Sequence, residues 1–159
     1  MLNVHIIAIG RLKEPYLVQA AAEYQKRLGG KIKLHITEIA EARLRDNPSD
    51  KEIAAAVSAE GERILAALPE GCYVFSLAIE GNQLSSEEFS QRLYSAAAQR
   101  GTVAFIIGGS HGLSDEVKSR AGFLLSFSRL TLPHQLFRVV LLEQIYRAAM
   151  INGNCKYHK

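Results

Sequence analysis

Five short runs of aliphatic and β-branched residues alternate with five helical patterns along the 159 residues, and this alternation narrows the fold more than any other feature. A strand followed each time by a helix needs a crossover before the next strand, so the pattern predicts an α/β class with a mostly parallel sheet and helices on both faces. The strands are expected at Val4–Ile9, Ile32–Ile39, Cys72–Ala78, Thr102–Ile107 and Phe123–Ser128. The first helix is expected from Pro15, a residue suited to a first helical turn, to Leu28, where Gly29-Gly30 stops it. Ser49 with Glu52, and Ser85 with Glu88, have capping-box spacing and open helices running to about Leu68 and Gln99. Pro69-Glu70-Gly71 ends the first of these, and Gly81-Asn82 reads as a turn before the second. Ser114 caps a short helix of about two turns, and a last helix spans Gln135–Met150 before the polar tail Asn152–Lys159. No linker or repeat divides the chain, so residues 1–159 are expected to form one domain.

Composition excludes several classes. Hydrophobic residues make up 48% and charged residues 22%, the balance of a globular protein. The net charge of +3 permits an anionic partner without demanding one. Two cysteines, Cys72 and Cys155, form neither a disulfide framework nor a metal-binding pair, and no two histidines have metal-ligand spacing. No metal is therefore expected. The apolar run at the N-terminus is too short for a membrane span and lacks a basic flank, which makes the cytoplasm the default expectation and a membrane partner unexpected.

Chemistry is sought beyond the carboxyl ends of the strands, where open α/β sheets bind ligands. The first strand ends in Gly10-Arg11-Leu12-Lys13, which is not a dinucleotide fingerprint, and no phosphate-binding P-loop occurs anywhere. The fourth strand runs into Gly108-Gly109-Ser110-His111-Gly112, where three glycines allow backbone to approach a ligand or simply make a tight turn. After the fifth strand, Phe127-Ser128-Arg129-Leu130-Thr131-Leu132-Pro133-His134 offers backbone donors and acceptors for an adenine edge, or is an ordinary connection. The last helix is apolar almost all round, which calls for burial on several sides and suggests a second subunit as cover. On it, Glu143 and Arg147 have the spacing of an ion pair, and Arg138 reads either as a substrate-facing cation or as a buried group with a partner. His5 and His35 lie in strands and read as structural, whereas His111 and His134 lie on the two candidate ligand loops. The tail Lys156-Tyr157-His158-Lys159 is either a frayed end or a set of groups for phosphate and base stacking.

Several of these segments, taken together, resemble one family. The carriers are Ile106-Ile107-Gly108-Gly109 with Gly112-Leu113, Leu125-Ser126-Phe127-Ser128, Pro133-His134 with Arg138-Val139, Leu142 to Ala148, and Tyr157-His158-Lys159. Gly10 to Lys13, Glu23 to Leu28, and Gly81 with Leu84 to Phe89 agree as well, so the resemblance spans essentially the whole chain. The sequence is similar to the RlmH family of SPOUT-class methyltransferases. That resemblance implies an α/β fold with a C-terminal trefoil knot, a homodimer, and S-adenosylmethionine as methyl donor. It implies methylation at N3 of a pseudouridine in the helix 69 loop of 23S ribosomal RNA, within the assembled ribosome. Carried over by position, the cofactor pocket would include Leu77, Gly108, Gly109, Phe127, Ser128, Arg129, Leu130, Thr131 and Leu132. His158 or His134 would be the general base for the N3 proton, with Tyr157 and Arg138 placing the nucleotide. Two positions depart from the family pattern: Ala78 follows Leu77 where Asp is frequent, and Lys156 precedes Tyr157 where Pro is frequent. Two rival readings remain at this point, a different nucleotide-binding α/β enzyme of flavodoxin type and a non-enzymatic ribosome-binding module.

Overall fold

The computed structural model describes residues 1–157. The elements follow in strict alternation: β1 Leu2–Ile9, α1 Pro15–Leu28, β2 Ile32–Ile39, α2 Asp50–Ala67, β3 Tyr73–Asn82, α3 Ser86–Arg100, β4 Thr102–Ile107, α4 Asp115–Arg120, β5 Phe123–Leu125 and α5 His134–Asn152. All four strand pairings are parallel, in the order β2-β1-β4-β3-β5. Both expected capping boxes form, with Ser49 and Ser85 accepting from the backbone N–H of Glu52 and Glu88.

The pleat sends alternate residues to opposite faces. Val4, Ile6, Ala8, Phe75 and Phe105 enter one core, under α1, α3 and α5. Ile7, Ile9, Val74, Ala104 and Ile106 enter a second core under α2 and α4. The last helix is covered largely from within the chain. It packs against α1 and α3, burying Leu141, Leu142, Ile145, Ala148, Ala149 and Met150, while Leu136 stays exposed. His5 and His35, register partners on β1 and β2, stack with ring centroids 4.5 Å apart.

Two expectations require correction. Gly81-Asn82 is not a turn, because β3 continues through it. After a register break beyond Leu77, Asn82 pairs with Leu125 and its carbonyl accepts from Ser126 N at 3.0 Å. A Cβ on Gly81 would stand 2.8 Å from the backbone of Leu124, so this glycine serves close backbone approach rather than a bend. Conversely, β5 ends at Leu125 instead of Ser128. Ser126 Oγ donates to the Ser128 carbonyl and Ser128 Oγ accepts from Leu130 N, a local pattern that competes with strand pairing.

Gly61 yields a prediction against ordinary helix propensity. Alanine for glycine in a helix interior normally stabilises by roughly 0.5–1 kcal/mol. Here the added methyl would fall on Ser114 Oγ and lie 3.0 Å from its Cβ, disturbing the residue that caps α4. Gly61→Ala is expected to lower stability by about 1–3 kcal/mol, measured by urea unfolding; a gain would refute the packing argument.

Candidate functional site

The carboxyl ends of β3, β4 and β5 surround a cavity of about 350 Å³. This lies within the usual small-molecule range of roughly 300–1,000 Å³. Its walls come from Leu77 to Glu80 of β3, Ile107 to Ser110 with Gly112 and Leu113 at and beyond the end of β4, Leu125 to Ser128 with Leu130 to Leu132 at and beyond the end of β5, and His134 and Phe137 of α5. Aliphatic and aromatic side chains dominate, and the polar groups are hydroxyls, backbone and a few rim side chains.

Local sequence explains each wall. A Cβ on Gly108 would stand 2.9 Å from the Gly112 carbonyl oxygen, so β4 can turn into its loop only with hydrogen at that place. Gly109 and Gly112 then bridge, with Gly112 N donating to Gly109 O at 3.2 Å. The hydroxyls of Ser126 and Ser128 shape the opposite loop. Phe127 is anchored against Phe137 at 5.0 Å and, edge-on, against Phe89 at 6.2 Å. At the rim, Glu80 pairs with Lys118 at 2.6 Å, and the ammonium holds the Glu80 carboxyl below the usual carboxylate range.

The first turn of α5 closes the cavity on one side. His134 is half-buried there, and its Nε2 would lie 3.8 Å from a Cβ on Gly10, which places the β1–α1 loop beside the mouth. One turn further, Arg138 is 3% exposed. Its guanidinium donates to the Glu38 carboxylate at 2.6 Å, to the Ile9 carbonyl at 3.0 Å and to the Gly10 carbonyl. Of the two readings that the sequence left open for Arg138, the structure carries the buried one.

Tyr157 lies elsewhere. The Tyr157 phenol donates to Glu143 Oε1 at 3.3 Å, its ring meets Tyr146 edge-on at 4.9 Å, and the Arg147 guanidinium covers it at 4.9 Å. Burial, and then the Glu143 carboxylate, push the phenol's pKa up, so it stays a donor. Glu143 and Arg147 form the expected pair at 2.6 Å. At 1.5 Å rise per residue, Tyr146 is about 18 Å along the helix from His134. Tyr157 and the cavity are therefore not neighbours within one chain. His158 lies outside the described residues.

Leu77, Gly108, Gly109, Phe127, Ser128, Leu130, Thr131, Leu132 and His134 all line the cavity. Arg129 belongs to the same loop but is not among the residues of the wall. Sequence reasoning missed Phe137, Lys118 and Glu80 on the walls, and Glu38 behind them. Glu38 had left a signal: it is the polar interruption in an otherwise alternating apolar strand, and a buried arginine needs an acid.

Comparison with known proteins agrees with this architecture. Residues 2–158 match the family model described as "Predicted SPOUT methyltransferase". The chain is 49% identical, over 99% of its length and 100% of the relative, to the ribosomal RNA large subunit methyltransferase H of Ligilactobacillus salivarius. It is 48% identical, with the same coverage, to the protein of that name from Bacillus cytotoxicus. Among solved structures, a probable methylase family protein from Haemophilus influenzae Rd KW20 superposes with a TM-score of 0.55 at 16% identity, covering 100% of this chain and 72% of the other, a likeness of fold.

Proposed function

The chain belongs to the SPOUT methyltransferase family, among the ribosomal RNA large subunit methyltransferases H, and from that premise we propose that it methylates large-subunit ribosomal RNA with S-adenosylmethionine as donor. The finer reading is transfer to N3 of a pseudouridine in helix 69, on the assembled ribosome, in the cytoplasm. The observation that carries the proposal is the glycine-walled cavity at the ends of β3, β4 and β5, which gathers eight of the nine residues expected at the cofactor.

The cavity fits such a donor. Leu77, Leu125, Leu130 and Phe137 offer apolar surface for an adenine ring, and the turns at Gly108 and Ser128 bring backbone to its edge. When bound, S-adenosylmethionine supplies a methyl group on a positively charged sulfur. The chain's own contribution is to hold that carbon in line with the acceptor nitrogen, since positioning accounts for much of the rate. The N3 proton must also leave, and His158 or His134 is the base that takes it.

His134 is already at the cavity mouth, but Tyr157 of the same chain is packed on α5 away from it. A homodimer resolves this if the tail of one chain serves the cavity of the other. The exposed Leu136 and the half-exposed apolar residues Phe137, Val139 and Val140 of α5 supply apolar surface for such an interface. The same reading treats residues 1–159 as one methyltransferase domain. It expects the trefoil knot in the segment where β5 and its loop lie against residues 81 and 82.

The test is incubation of the purified protein with methyl-labelled S-adenosylmethionine and ribosomes whose pseudouridine is unmethylated. Label is expected in the large-subunit RNA and absent from ribosomes carrying uridine at that position. Binding of the donor without labelled RNA would move the substrate elsewhere. Absence of donor binding would return the case to another nucleotide-binding enzyme.

A further inference from the structure

The loop between β1 and α1 is fastened more thoroughly than a short surface connection requires. Gly10 N donates to the Ile39 carbonyl at 2.7 Å, Leu12 N to Glu38 Oε1 at 3.3 Å, and Lys13 N to Gln135 Oε1 at 3.1 Å. From inside, the buried Arg138 holds the carbonyls of Ile9 and Gly10 and bonds the same Glu38 oxygen. Gly10 sits at a φ of +81°, a conformation that side-chain-bearing residues avoid. The end of β2 and the first two turns of α5 thus converge on the four residues that follow β1.

All these fastenings use the loop's backbone. The side chains of Arg11 and Lys13 are exposed and make no ion pair or hydrogen bond among the described residues. By contrast, Arg27, Arg138 and Arg147 all have carboxylate partners. The loop's position is set by its contacts with Gln135 and by the closeness of Gly10 to His134, both in the turn that closes the cavity. Two cations on a backbone held rigid beside a reaction cavity have their loop's ordering cost already met before a ligand arrives.

We infer that Arg11 and Lys13 grip phosphodiester groups of the substrate RNA beside the methyl-transfer cavity, and that Glu38, through Arg138, is a positioning residue for that grip. The inference rests on the RNA-methyltransferase reading and adds to it the surface that holds the polynucleotide. With 19 basic side chains set against 16 acidic ones, the net charge of +3 gives only a weak overall attraction for phosphate. Placing two of them on a stiff support is how a weak overall field still fixes the register of the target base.

The experiment compares the full chain with the Arg11→Glu/Lys13→Glu double variant and with Glu38→Gln. Three quantities are read: the KM for unmethylated ribosomes at several salt concentrations, kcat, and the affinity for S-adenosylmethionine by calorimetry. The double variant is expected to raise KM by roughly tenfold or more and to flatten the salt dependence by roughly 1 in log–log slope for each phosphate no longer neutralised. Donor affinity should stay within about twofold, since these residues do not line the cavity. Glu38→Gln keeps both cations but loosens their support, so KM should rise severalfold with kcat and donor affinity held. Unchanged KM and salt slope in the double variant would overturn the inference, because surface substitutions at these sites have no folding defect to hide behind. Should the wild-type chain transfer no methyl to ribosomes, the functional reading fails separately. Co-sedimentation with ribosomes then decides the grip: weaker in the double variant supports it, and equal binding refutes it.

Discussion

A chain carrying His158→Ala is expected to bind S-adenosylmethionine with wild-type affinity and to transfer methyl roughly 10²–10⁴-fold more slowly, the usual range for a lost general base. The cavity residues come from β3 to α5 and do not depend on the tail, so donor binding is insulated from this change. The acceptor is not. On the proposed reading the acceptor is an imino nitrogen, a poor nucleophile while it keeps its proton, and His158 of the tail and His134 at the cavity mouth are the two imidazoles proposed to remove it. If the tail acts across a dimer, mixing this variant with a cavity-blocked chain, Gly108→Val, restores activity. Random pairing puts half of the dimers in the mixed state with one intact site of two, so about a quarter of wild-type turnover is expected. Full turnover by His158→Ala would remove the tail base and leave His134. Failure of the mixture to recover would confine tail and cavity to one chain.

Arg138→Ala is expected to cost about 1–3 kcal/mol of folding stability, the range for leaving buried hydrogen-bonding groups unsatisfied, since Glu38 is one-third exposed and water can reach it. The side chain is 3% exposed and its guanidinium serves Glu38 and two backbone carbonyls, which would be left without that donor in a cavity the chain cannot easily fill. Against a typical total of about 5–15 kcal/mol, that is a large share. Urea unfolding at fixed protein concentration should show a lower midpoint with little change in slope. Arg138→Met restores volume but no donor, so it should recover only the packing part. A loss below about 1 kcal/mol for alanine would mean that water replaces the guanidinium without penalty.

Periodicity and capping located all ten elements, and α1, β2 and β4 to the residue, because those signals are local: Pro15 and Gly29 for α1, Ser49 and Ser85 for the capping boxes. The glycine loop after β4 and the loop after β5 were found for the same reason. Errors fell where one segment's conformation is set by another far away. Gly81 reads as a turn until Leu124 and Leu125 are laid against it, and β5 reads as longer than its pairing with β3 allows. The apolar girth of α5 is covered in part by α1 and α3, while Leu136 on the same helix stays exposed. Arg138 could be left only as a choice of two roles, since its partner Glu38 is 100 residues away in the chain.

That same arginine sets a schedule for the nascent protein. The hydrogen bond from Arg138 to Ile9 joins residues 129 apart, and the central pairing of β1 with β4 already spans 99. During synthesis at roughly 5–20 residues per second, β1, α1 and β2 emerge first and have only each other to pair with for several seconds. The strand that belongs on the other edge of β1 does not exist until residue 102 has been added, and the clamp on the loop after β1 waits for residue 138. The earliest segment to leave the ribosome is thus among the last to reach its final geometry. Its open strand edge has to stay unpaired with neighbours in the meantime, a burden that grows with the sequence distance between contacting residues.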